Sequence, residues 1–82
     1  MNQRVFLLID SGATHNFIDA HLVQRRAIPI DTFEGFSVLV PRDRTMQCMQ
    51  YVPSLSVTMG SYNLVDHFFV VDIPDTNIIL GV

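Results

Sequence analysis

The stretch Leu7-Leu8-Ile9-Asp10-Ser11-Gly12-Ala13-Thr14-His15-Asn16-Phe17 sets an apolar run against an acid. From Val5 to Ile9 the chain is continuously apolar with two β-branched members, the pattern of a short buried strand. It stops at Asp10. A carboxylate at the mouth of a buried strand is costly unless it is hydrogen-bonded or put to use. Gly12, two residues on, lets the backbone turn tightly and lets an amide N–H approach the acid. Donors of that kind favour the ionised form of a carboxylate. The Ser11 hydroxyl can tie the turn to a neighbour. The same three residues are also ordinary turn formers, so Asp-Ser-Gly has to be read with its surroundings.

The chain has 82 residues, which allows one domain. A chain this short buries a modest share of its surface, so association with a second copy would add stability. Apolar residues make up 49% and charged residues 16%, a balance that excludes a disordered polyelectrolyte. The net charge is −3 and every basic side chain is an arginine, chiefly in the pairs Arg25-Arg26 and Arg42/Arg44. Nucleic-acid binding wants a basic stripe, and none is expected here. Cys48 is the sole cysteine, which excludes an internal disulfide and fits a reducing compartment. The longest apolar run is five residues, against roughly 20 for a bilayer span, so no membrane partner is expected. The cytoplasm is the default location.

Further along, Asp19 is placed to cap a short helix from Ala20 to Arg26, with Ile18 and Leu22 on its inner face and Pro29 ending the segment. The remainder reads as strands. Phe36 to Val40 and Thr45 to Tyr51 form a hairpin tipped by Pro41-Arg42-Asp43-Arg44. Leu55, Val57 and Met59 alternate with Ser56 and Thr58 in a half-buried strand. Gly60-Ser61 turns into Tyr62 to Val71, and Pro74 to Asn77 turns into a last buried strand, Ile78 to Val82. A mostly-β fold with one short helix is expected.

Asp10 follows an apolar strand, and about 70 residues later comes a second apolar strand containing Ile79-Leu80-Gly81. Together these resemble the retroviral-type aspartic proteases, the retropepsins, and are most similar to the protease segment of plant Ty3/gypsy long-terminal-repeat retrotransposons. LIDSGATHNFI is similar to that family's active-site segment, and DTNIILGV to its later one. The resemblance implies a closed β-barrel subunit and a homodimer that hydrolyses polypeptide, without metal or organic cofactor, in the cytoplasm or within virus-like particles. In this family each chain supplies one aspartate, and two like charges so close share a proton. The ionised member takes a proton from water, which attacks the peptide carbonyl, while the other donates to the carbonyl oxygen.

By resemblance, then, Asp10 is the catalytic residue and Ser11 and Gly12 complete its loop. Ala13 and Thr14 line the substrate groove, with His15 in reach of it. Residues 38 to 48 form the flap, tipped by Pro41, Arg42, Asp43 and Arg44, where the family usually has glycine. Ile79, Leu80 and Gly81 buttress the catalytic loop. Family members continue past Leu-Gly into a helix, so a domain cut short after Val82 is implied. The alternative is an inactive or domesticated retropepsin-like module used for dimerisation or protein binding.

Other chemistry is less supported. His15 and His21 lie six apart, on different faces of a helix, and with His67 they suggest no metal site. Asp66 and His67, adjacent on a strand, are expected to point to opposite faces. Cys48 reads as a small core residue rather than a nucleophile. Asp-Ser-Gly-Ala-Thr is also similar to the phosphate loops of sugar-kinase and actin-like ATPases, but those need two large domains. Phosphatase motifs want a second aspartate where Gly12 stands.

Overall fold

The computed structural model describes residues 4–40 and 42–82. Six strands and one helix run in the order β1 (Leu7–Asp10), β2 (Phe17–Asp19), α1 (Ala20–Arg26), β3 (Asp31–Val40), β4 (Arg44–Met59), β5 (Tyr62–Val71) and β6 (Ile78–Gly81). They form one sheet with the order β1-β6-β2-β5-β4-β3. Among the described residues this order places β1 and β3 at its two ends. The mostly-β composition with a single short helix is as the sequence predicts.

Side-chain alternation along the strands builds two cores, one on each face. Ile18, Phe68, Val70, Ile78 and Leu80 point to one face and pack with Leu22 and Val23 of α1. Their neighbours Phe17, Phe69, Val71 and Ile79 point to the other, where they meet Cys48, Phe36 and Val38 of the β3–β4 hairpin. The sheet therefore carries its helix on one side and its hairpin on the other.

Several boundaries differ from the sequence reading. β1 is an edge strand rather than a buried one: Leu8 and Ile9 are exposed, Ile9 at 61%, and Phe6 before them at 77%. Among the described residues only β6 pairs with it. Phe17 to Asp19, read as the approach to the helix, form a strand wedged between β5 and β6. Ile18 is fully buried there, reaching Leu22 through the core rather than along a helix face. The hairpin arm and the following strand are one continuous β4, which passes Pro53 through a register shift between Val52 and Leu55. A bulge at this point releases the ladder bond that proline cannot make.

α1 ends before Pro29. Ala27 takes a left-handed conformation (φ 50°) and donates to the Gln24 carbonyl, and Ile28 donates to that of Val23. This pattern satisfies carbonyls that the helix end would otherwise leave open.

Candidate active site

β1 and β6 run parallel with Leu8 opposite Ile79, Ile9 opposite Leu80 and Asp10 opposite Gly81. Period-2 alternation then puts Leu8, Asp10 and Ile79 on the hairpin side of the sheet, where all three line one groove of about 500 Å³. Ser37, Val38 and Leu39 of β3 form the opposing wall. The groove is thus made where the Asp10 loop and the hairpin face each other.

The loop itself is closed by backbone. The Gly12 N–H donates to Asp10 Oδ1 at 2.8 Å, and the Ala13 N–H donates to the Asp10 carbonyl at 3.2 Å. The amide approach read from the tripeptide is present. Among the described residues no donor reaches Asp10 Oδ2, which leaves that oxygen open. Ser11 is exposed at the tip of the turn. Ala13, Thr14 and His15 all line this groove.

Gly81 shows why a glycine follows Ile79-Leu80. The loop crosses over β6 so closely that a Cβ on Gly81 would stand 2.7 Å from the carbonyl oxygens of both Ala13 and His15. Real Cβ atoms do not approach backbone oxygen at that distance, so the loop can lie on β6 only if the side chain is hydrogen. Ile79 and Leu80 fill the two cores above and below the sheet. Gly81 thus lies directly under the loop, while Ile79 and Leu80 pair with Leu8 and Ile9 of β1.

One contributor went unread in the sequence. Asn16 accepts from the Gly81 N–H through Oδ1 at 3.0 Å and donates through Nδ2 to Asp66 Oδ2 at 3.0 Å. Its carbonyl also accepts from the Phe69 N–H at 2.9 Å. It pins the end of the loop to β6 and β5 at once. Nothing local signals this, because both partners are more than 45 residues away.

His15 belongs to an aromatic cluster instead of a metal set. Its ring lies 5.2 Å from that of Phe69 and 5.4 Å from that of Phe36, and its Nδ1 is 2.9 Å from Thr14 Oγ1. Phe69 is the centre of the cluster, touching Phe33, Phe36 and Tyr51 as well. His67 shares the face of Phe69, their rings 5.6 Å apart, as alternation expects for the neighbour of Asp66. The Asp66 carboxylate curls back to accept from the His67 N–H at 2.8 Å, with His67 Nδ1 3.1 Å from the same oxygen. Cys48 is fully buried as expected, with Sγ 3.5 Å from the Gln50 and Val70 carbonyls. Burial pushes its thiol up from the ordinary 9.0, against a smaller opposing pull from those two contacts.

At the hairpin tip, Pro41 lies outside the described residues. Arg42 (φ 70°) and Asp43 (φ 55°) are both left-handed before Arg44 pairs with Val40. Positive φ at successive turn residues matches the right-handed twist of hairpin strands, and it is ordinarily a place for glycine or asparagine.

The mostly-β sheet, its single short helix among the described residues and its Asp-Ser-Gly loop together form a retropepsin-like domain. The family is shown directly: a model of the retroviral aspartyl proteases matches residues 1–82, and the chain belongs to that family. Comparison with curated proteins returns no match.

Proposed function

We propose that this chain is one half of an aspartic endopeptidase of the retroviral or retrotransposon type, nearest in kind to the Ty3/gypsy proteases. Its substrate is polypeptide, in the first place the polyprotein that carries it. Two copies pair so that two Asp10 carboxylates meet and share a proton. One activates water against the scissile carbonyl, and the other protonates the carbonyl oxygen.

The observation that carries this reading is the groove's acid content. Among the described residues lining it, Asp10 is the single carboxylate, and its Oδ2 is without a donor. One carboxylate cannot act as base and acid in the same step, so the chemistry requires a second chain. The apolar residues of the edge strand favour the same assembly, since Phe6 and Ile9 are exposed on the segment that leads to Asp10.

Sedimentation across concentration together with peptide hydrolysis at mildly acidic pH tests the proposal. The expected result is a monomer–dimer equilibrium with activity tracking the dimer, and loss of activity in Asp10→Asn with the fold retained. A monomer that cleaves peptide, or activity that survives Asp10→Asn, would overturn it. The charged tip at Arg42 and Asp43, where the family usually has glycine, favours a second reading as a non-catalytic dimerisation or protein-binding module. A stable dimer, inert on every peptide at every pH, would support that reading.

A further inference from the structure

The catalytic loop runs from Asp10 to Asn16, and its last residue begins a chain of side chains that leads away from the groove. Asn16 Oδ1 accepts from the Gly81 N–H at 3.0 Å, and Asn16 Nδ2 donates to Asp66 Oδ2 at 3.0 Å. The other oxygen of that carboxylate is engaged on β5 itself. Asp66 Oδ1 accepts from the His67 N–H at 2.8 Å and lies 3.1 Å from His67 Nδ1. The carboxylate is held there with Oδ2 turned to Asn16.

The two partners of Asn16 make opposite demands. A backbone N–H can only donate, so Gly81 needs the amide oxygen. A carboxylate can only accept, so Asp66 needs the amide nitrogen. Turned by 180° about its last bond, the amide would set donor against donor at Gly81 and acceptor against acceptor at Asp66. Asp66 therefore decides which end of Asn16 faces β6. The His67 carbonyl also lies near Nδ2, but at 3.5 Å it is too far to hold the amide alone.

What Asn16 holds bears directly on Asp10. Gly81 pairs with Asp10 across β1 and β6, and a Cβ on it would stand 2.7 Å from the Ala13 and His15 carbonyl oxygens. A shift of the Gly81 amide is thus a shift of the surface on which the loop rests. The loop includes the Gly12 N–H that reaches Asp10 Oδ1 and the Ala13 N–H that reaches the Asp10 carbonyl.

We propose that Asp66 is a positioning residue for Asp10: it orients the Asn16 amide, which ties Gly81 to the loop and so sets the catalytic carboxylate in the groove. Its effect on turnover rests on the proteolytic reading, and its effect on the loop does not. Neither Asp66 nor Asn16 is among the residues that line the groove, so their loss should lower kcat and leave KM in place. In the sequence Asp66 reads only as the neighbour of His67, because its partner in the loop lies 50 positions away.

The test exchanges the two side chains, each for one of the same shape. In Asp66→Asn, whichever way the two amides turn, two donors face each other at Gly81, at His67 or between the amides. Asn16→Asp keeps an acceptor for Gly81 but sets two carboxylates against each other. The double variant Asn16→Asp/Asp66→Asn restores all three bonds with one reversed in direction: position 66 donates to position 16 and still accepts from the His67 N–H. Amide hydrogen exchange followed by NMR reads the loop without any need for catalysis. Each single variant should lose about tenfold in protection at the Gly81 and Ala13 N–H groups, with the paired Val57 and Leu64 of β4 and β5 unchanged. The double variant should recover it. On a peptide that the parent cleaves, each single variant should lower kcat by about ten- to a hundredfold with KM unchanged, and the double variant should regain most of the loss. Full protection of Gly81 in Asp66→Asn, or a double variant no better protected than the single ones, would overturn the proposal. So would a rise in KM with kcat unchanged, which would place Asp66 in substrate binding. Should a single variant fail to fold, the double variant must still fold and protect Gly81 for the proposal to stand. A parent inert on every peptide removes the proteolytic reading alone, and the exchange at Gly81 and Ala13 then decides whether Asp66 holds the loop.

Discussion

Replacing Gly81 by alanine tests how the catalytic loop is seated. The new Cβ would stand 2.7 Å from the carbonyl oxygens of Ala13 and His15 and 3.0 Å from the His15 amide nitrogen. All three are backbone atoms, so no side chain can swing aside and the loop must lift as a unit. Forcing a methyl group into a packed site costs about 1–3 kcal/mol. Lifting the loop also strains the bond from the Gly81 N–H to Asn16 Oδ1, worth about another 1 kcal/mol. The expected loss is about 3 kcal/mol, out of a total of about 4–12 for a domain of this length. That corresponds to a fall in Tm of roughly 12–24 °C. Urea and thermal unfolding followed by circular dichroism read the effect. Gly60→Ala is the control, because nothing lies within 4 Å of its Cβ and only its φ of +61° resists substitution. It should cost about 1 kcal/mol. If Gly81→Ala melts within a few degrees of the parent, or no lower than Gly60→Ala, the close seating of the loop on β6 is wrong.

Asn16→Ala removes the acceptor of the Gly81 N–H and the donor to Asp66, and should lower stability by about 1–3 kcal/mol in urea denaturation. Asp43→Gly relieves a left-handed residue at the hairpin tip and is expected to raise stability by about 0.5–1 kcal/mol, read as a higher urea midpoint. Cys48 should resist thiol reagents in the folded chain and react on unfolding, which kinetic labelling would show. Its thiol is raised in the fold, so between the ordinary 9.0 and the folded value the unfolded chain has released a proton that the folded chain keeps. Stability from this group is therefore intact below pH 9 and falls as pH rises beyond it, a trend that Cys48→Ala should abolish in denaturation curves.

Much of the fold was legible because its signals are local. The turns at Gly60-Ser61 and Pro74 to Asn77, the hairpin tip at Arg42 and Asp43 and the helix from Ala20 to Arg26 all follow from turn chemistry and hydrophobic period, which act over a few residues. The Asp10–Gly12 contact was legible for the same reason, its two groups being neighbours in the chain. β2 was not. Three residues carry too little pattern to declare a strand, and Phe17 to Asp19 take that form only because β5 and β6 offer ladders on both sides.

By itself the sequence determined that a short, mostly-β chain with one helix would present an aspartate in an Asp-Ser-Gly turn and, far downstream, an apolar strand with a glycine. The family follows from those motifs. Tertiary structure alone decided which distant groups those motifs would meet. Parallel pairing of β1 with β6 set Asp10 opposite Gly81, and Asn16 closed the loop onto two strands. The left edge position of β1 in the strand order turned a run that reads as buried into exposed apolar surface. The same packing carried the Asp19 carboxylate away from the helix it was expected to cap, to the Ile73 N–H. Hydrophobic period states that a side chain will be buried. Which neighbour it is buried against depends on strand order and register, and these are settled by contacts between residues tens of positions apart.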